Sequence, residues 1–138
     1  NLLRMSAMMP RPMVFTYLRV FLNGVATPAR MQGGSHPCLW CGWAAGYRVE
    51  HMIHCQSLSG FLQHHCPHLF VQPGPILRNR IFSLVTPLMS DMLLRDVCVF
   101  ACILYHVYNS VRHGAKSTPS SLAEARLRQL RVRHAKLH

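Results

Sequence analysis

The sequence predicts a mainly α protein: one small helical domain, with a Cys/His-rich loop–helix module in its middle and a basic helix at its C-terminal end. Three observations predict it. Apolar residues recur at helical spacing over 13–24 and again over 88–111. A Thr-Pro start and a capping-box spacing open a further helical stretch after Ser117. Between the apolar stretches, residues 36–68 hold a cluster of Cys and His in place of any apolar period. A chain of 138 residues suits one domain with at most a small appended module. Half of its residues are hydrophobic and 14% are charged, which excludes an intrinsically disordered chain.

The N-terminal segment, residues 1–32, carries the first helix. Met13, Val14, Phe15, Tyr17, Leu18, Val20, Phe21 and Leu22 make a mostly buried face, Pro10 and Pro12 suit its start, and Asn23-Gly24 is its stop. Thr27 to Pro37, with Gly33-Gly34-Ser35, reads as loop. The Cys/His-rich module spans 33–75 and ends in the turn Val71-Gln-Pro-Gly-Pro75.

An apolar helical core follows, residues 76–115. On its helix Asp91, Arg95, Cys98, Cys102, His106, Asn109 and His113 step by three or four and trace one narrow polar stripe. The remaining circumference is apolar, so this helix should be the most buried element. Met92, Val99, Phe100, Ile103, Leu104 and Val107 are expected inside, against Phe15, Leu18 and Leu22. It is not a membrane span, because Asp91, Arg95 and Asp96 leave only Val97 to Tyr108 uninterrupted, about half of the ~20 residues a bilayer needs. His113-Gly114 ends it.

The last segment, residues 116–138, reads as a basic helix. Ser121 and Glu124 have the capping-box spacing, and Ala123, Leu127, Leu130, His134 and Leu137 form an apolar-leaning stripe. Arg126, Arg128, Arg131, Arg133 and Lys136 cover the rest, with no acid after Glu124.

The charge is lopsided. Fifteen Lys+Arg stand against four Asp+Glu, a formal +11. Arg supplies most of the cations, and its planar guanidinium suits phosphate and does not titrate away. An anionic partner is therefore expected: nucleic acid, an acidic protein or an anionic surface. The first acid is Glu50, preceded by five Arg, and an acid-poor, Arg-bearing start also characterises organelle transit peptides. That favours an organelle, the mitochondrion over the nucleus. A start at Asn1 reads as a processed product or a fragment.

The strongest local motif is Cys38-x2-Cys41-Gly42 followed by His51-x3-Cys55. A Cys-x2-Cys-Gly turn aims two thiolates at one point, and residues four apart share one face of a short helix. Four such ligands describe a closed structural zinc site with no open position for a substrate water. His54 is the alternative to His51, although as the neighbour of Cys55 it would point elsewhere on a helix. The thiols are accordingly read as reduced and intracellular rather than as a disulfide framework. Two weaker groups, His64-His65-Cys66-x-His68 and Cys98, Cys102, His106, are candidates for a second ion. Adjacent residues in the first cannot all face one metal, and helical Cys is ordinarily a small apolar filler.

Cys38-x2-Cys41-Gly42 and Val49-Glu50-His51-x3-Cys55, with Arg19, Asn23-Gly24 and Ala29-Arg30-Met31-Gln32 ahead of them, resemble a known segment. It is the zinc-binding segment downstream of the reverse transcriptase in non-LTR retrotransposon proteins. The resemblance covers about residues 15 to 60, with a looser echo at Tyr105 to Gly114. It implies Cys38, Cys41, His51 and Cys55 as ligands, Glu50 as the acidic residue before the His, and an accessory grip on nucleic acid. Polymerase and endonuclease carboxylates are missing: Asp91 and Asp96 lie five apart, and four acids in all leave little for a two-metal site.

The expected function is a non-catalytic, zinc-binding protein that contacts nucleic acid, RNA rather than DNA, within a ribonucleoprotein such as an organellar ribosome, or as a retroelement remnant. Arg126, Arg128, Arg131, Arg133 and Lys136 would meet phosphates, with Arg30 and Arg48 flanking the zinc site. The alternative is an architectural subunit of a large protein or membrane-protein assembly, docked by the apolar helix and without nucleic-acid contact.

Overall fold

The computed structural model describes residues 1–22, 37–44, 51, 55–69, 83–84 and 89–133. These residues form five α-helices and one 3-10 turn, and no strand occurs among them. In chain order they are α1 (Leu2–Met8), α2 (Arg11–Phe21), α3 (Gln56–His65), the 3-10 turn Pro67–Leu69, α4 (Asp91–Arg112) and α5 (Pro119–Arg133).

Helix α4 is the axis of the fold, and its ends are built by local chemistry. Ser90 is the N-cap: its Oγ accepts from the Leu93 N–H at 3.1 Å, and Asp91 places a negative charge in the first turn. At the other end Gly114 takes a positive φ of 83°. The Ala115 N–H then donates to the Ser110 carbonyl and the Gly114 N–H to that of Val111. This is a full Schellman closure, which the His113-Gly114 stop signal foreshadows.

The core is continuous along α4. Leu94, Val97, Cys98, Phe100, Ala101, Ile103, Leu104 and Val107 are buried, as the sequence requires of a helix apolar nearly all round. Helix α2 covers one side with Met13, Val14, Tyr17 and Val20, and α5 covers another with Ala123, Leu127 and Leu130. Burial raises the Tyr17 hydroxyl well above its ordinary value, and the nearby Cys98 adds to that.

The packing face of α2 differs from the expected one. Phe15 is 62% exposed and Leu22 69%, and Met92 of α4 is 55% exposed rather than inside. Helix α2 carries apolar residues on more than one side, so periodicity alone does not choose the buried face. The docking of α1 does. Met5 and Met9 are buried beside Met13, Arg4 pairs with Asp91, and the Arg4 guanidinium also donates to the Met89 carbonyl at 2.8 Å. Helix α1 itself has no sequence signal of the kind that marks α2.

Part of the polar stripe of α4 is consumed by the docking of α1 and α2. Asp91 meets Arg4, the Cys102 thiol lies 3.8 Å from the Met13 carbonyl, and Cys98 is fully buried. Tyr105, next to the stripe, accepts a hydrogen bond from Arg19 at 3.2 Å. Among the described residues, no helix is long and apolar enough to cross a membrane.

Helix α5 opens at the Thr118-Pro119 start read from the sequence, and of the Ser121–Glu124 pair neither forms the cap. Thr118 is the cap residue. Its Oγ1 accepts from the Ser121 N–H at 3.2 Å, and Pro119 occupies the first helical position, where a missing N–H costs nothing. Glu124 is thereby freed for a tertiary contact. His134, Lys136 and Leu137 lie outside the described residues.

Candidate metal centre

Cys38 to Ala44 form a tight turn. The Gly42 N–H donates to the Cys38 carbonyl at 2.8 Å, and the Cys38 N–H donates to that of Trp43 at 2.9 Å. Gly42 has φ +73°, the left-handed region that a side chain disfavours, so the Gly after Cys41 is what lets the chain double back. The Trp40 N–H points at the Cys38 sulfur at 3.4 Å.

The ligand atoms of Cys38, Cys41, His51 and Cys55 all lie within 4.8 Å of one another. Cys38 Sγ and Cys55 Sγ are 3.8 Å apart, and Cys41 Sγ is 3.3 Å from His51 Nε2. A metal–thiolate bond of about 2.3 Å in a tetrahedron gives an S···S edge of about 3.8 Å. The sulfurs therefore stand at coordination distance rather than at bonding distance, and all six cysteines are free thiols. Three sulfurs and one imidazole complete a four-coordinate set that can hold a metal ion.

The fourth ligand arrives differently from the sequence expectation. Cys55 is not on a helix face shared with His51. It is the residue before α3, with extended backbone, and its carbonyl accepts from the Leu58 and Ser59 N–H groups. Thus α3 begins at the metal site and carries it into the core. His54, the alternative to His51, lies outside the described residues, as do Arg30, Arg48 and Glu50.

The electrostatics of the metal-free thiols are split. Burial, with Cys38 alongside, pushes Cys55 up to about 12. Burial also acts to raise Cys41, but hydrogen bonds from the Trp43 backbone and from Cys38 and Cys55 outweigh it and lower that thiol. Three thiolates cannot crowd within 4 to 5 Å without a cation among them. The site is anchored from below: Cys38 and Cys55 are buried, Leu39 and Trp40 pack against the buried cluster of Ile103, Val107, Ala123 and Leu127, and the Trp40 ring lies 6.2 Å from that of Phe61. Its open side carries Trp43, whose ring lies 4.8 Å from that of His51.

The second Cys/His group is dispersed by its local geometry. His65 Nε2 meets Glu124 Oε1 at 2.9 Å, while His68 Nδ1 and the His68 N–H both meet Asp96 Oδ2 at 2.9 Å. Cys66 is fully buried, and its thiol is raised by burial and by Asp96. His64 is exposed, edge-on to His65. On α4, Cys98 and Cys102 are core residues. The Cys102 thiol beside it, followed by burial, pushes Cys98 up, and His106 is lowered by burial and by the charge of Arg126. Neither group converges; among the described residues, the Cys38–Cys55 set is the one cluster of this kind.

Of the basic residues on α5, Arg128, Arg131 and Arg133 are exposed. Arg126 is half-buried: it donates to Gln129 Oε1 at 3.2 Å, and its Nε is buried without a hydrogen-bond partner among the described residues. The two His–carboxylate contacts, which tie the metal module to α4 and α5, carry no sequence signal beyond the residues themselves.

Set against protein-family models, curated proteins and solved structures, the chain matches none. Fold and site together define a small, mainly helical protein with a Cys3His set able to bind a metal ion.

Proposed function

We infer that this chain is a zinc-stapled basic module that binds nucleic acid through phosphates and performs no reaction of its own. Zinc suits three soft thiolates and an imidazole in a closed tetrahedron, and a site with four protein ligands leaves no position for a substrate water. Its role is then structural, holding the segment around Cys38–Trp43 and the start of α3 against α4.

One observation carries the nucleic-acid reading. The three acids among the described residues each have a partner other than an arginine of α5: Asp91 with Arg4, Asp96 with His68, and Glu124 with His65. Arg128, Arg131 and Arg133 therefore stand in solvent with no ion pair among the described residues, on a helix held in place by Ala123, Leu127 and Leu130. A rigid helix with unpaired guanidinium groups is suited to a phosphate backbone. RNA in an organellar ribonucleoprotein is the favoured setting, on the strength of the acid-poor N-terminal half and the resemblance to a retroelement zinc segment.

The test is RNA binding across a salt series, comparing the native chain with Arg128→Gln and Arg133→Gln combined. Each guanidinium withdrawn from a phosphate should flatten the slope of log affinity against log salt by about 0.7 to 0.9. An unchanged slope and affinity would remove the reading. The exposure of Leu3, Phe15 and Leu22 on α1 and α2 favours the second reading, an architectural subunit whose apolar N-terminal face meets another protein.

A further inference from the structure

Between the 3-10 turn, α4 and α5 lies a cleft of about 280 Å³, distinct from the metal centre. One side of its lining is polar: Arg95 and Asp96 from α4, Arg131 from α5 and His68 from the turn. The other side is apolar, with Met92, Val99 and Leu130 among its walls. Two helices thus each bring a guanidinium to one cavity. Its single carboxylate, Asp96, is largely buried and already accepts from the His68 N–H and Nδ1. The balance of the cleft is cationic.

We propose that this cleft binds one unpaired nucleotide of a single strand, its phosphate on Arg95 and Arg131 and its base against Met92 and Val99. The proposal rests on the nucleic-acid reading and adds a second mode of contact to it, since the outer face of α5 offers charge alone. Three features argue for a nucleotide over a bare anion. At about 280 Å³ the cleft stands at the lower edge of the ~300–1,000 Å³ of small-molecule sites, room for a single nucleotide rather than a longer stretch of strand. Half of the wall is apolar, which an inorganic anion would leave unused. Met92, 55% exposed on the most buried helix of the fold, stands at this wall, and a thioether is a soft, polarizable surface for a base. Guanidinium planes also stack on bases, so Arg95 or Arg131 can serve both phosphate and ring.

The experiment titrates metal-loaded, full-length protein with adenosine monophosphate, inorganic phosphate and adenosine, followed by NMR of the Arg, His and Met side chains. Adenosine monophosphate should saturate signals of Arg95, Arg131, His68 and Met92, about tenfold more tightly than phosphate or adenosine alone. Met92→Glu, at an exposed position, and Arg95→Gln should each weaken it by about tenfold. Equal affinity for inorganic phosphate, shifts confined to Arg128 and Arg133, or indifference to both variants would each overturn the proposal. Duplex RNA separates the two readings. If duplex still binds with its salt slope while the mononucleotide does not enter, the cleft proposal alone falls. If the mononucleotide saturates the cleft and single-stranded RNA binds while duplex does not, the phosphate-backbone reading falls and the cleft stands; if no RNA of either kind binds, both fall.

Discussion

His65 at the end of α3 and Glu124 in the first turns of α5 are 59 residues apart in sequence and 2.9 Å apart in space. The His65 side chain is 9% exposed, and its Nδ1 is buried with no hydrogen-bond partner among the described residues. Glu124 therefore supplies the one hydrogen bond seen for that imidazole. The pair also joins the element that begins at Cys55 to the helix that carries the exposed arginines.

Removing that acceptor should cost more than changing its charge. Glu124→Ala strands a buried imidazole with both nitrogens unpaired, and a loss of about 1–3 kcal/mol is expected in chemical denaturation. Glu124→Gln keeps an acceptor oxygen and should cost less than about 1 kcal/mol. Equal costs for the two would show that the contact contributes little beyond its charge.

Metal removal should act locally first. Native material is expected to carry one zinc per chain by elemental analysis, and Cys41→Ser to lose it. Because metal affinity is folding free energy, of order 10 kcal/mol in zinc-finger peptides, chelation should expose the Cys38–Trp43 turn and the start of α3 to protease. Helices α2 and α4, held by Met13, Tyr17, Phe100 and Leu104, should keep their helical circular dichroism. Binding should release protons, since Cys55 rises to about 12 in the metal-free protein and must ionise to ligate. Apparent zinc affinity should thus fall as the pH is lowered, and a pH-independent affinity would contradict a thiolate site.

Asp96 gives a pH signature of opposite origin. Burial raises its carboxyl above the ordinary 3.8, although the hydrogen bonds from the His68 ring and backbone N–H pull it down. A raised acid holds more protons folded than unfolded, so its contribution to stability is full below 3.8 and declines as pH rises through the raised value. Asp96→Asn keeps an acceptor for the His68 N–H and removes the buried charge. The variant should gain stability relative to the native chain at neutral pH, and the gain should vanish in acid. Thermal melts at both ends of the range would reveal it, and a gain of equal size in acid would refute it.

The two faces of α4 should differ sharply under truncation. Phe100→Ala empties a fully packed site and should cost about 3–5 kcal/mol. Met92→Ala, at a side chain more than half exposed, should stay within about 0.5 kcal/mol. A large loss at Met92 would mean that this face is packed after all.

Much of this protein is decided within short stretches of chain. Ser90 before Asp91, Gly114 after His113 and Pro119 after Thr118 set helix ends through hydrogen bonds that span three to five residues. The Cys-x2-Cys-Gly turn is equally local, because Gly42 alone among its residues needs a positive φ. The ligand set of the candidate metal centre and the burial of α4 were legible for the same reason. Tertiary structure decided what depends on a partner distant in sequence. Helix α2 has apolar residues on several sides, and only the seating of Met5, Met9 and Arg4 against α4 chose Met13 and Tyr17 over Phe15 and Leu22. Glu124 has the spacing of a capping box with Ser121, but its acceptor role towards His65, 59 residues away, is set by the packing of α3 on α5. Cys55 has the spacing of a shared helix face with His51, yet it caps α3, because the buried Leu58 and Leu62 pull that helix into the core directly behind it. Spacing specifies which atoms can converge; which face turns inward is settled by the competition among apolar surfaces for one core.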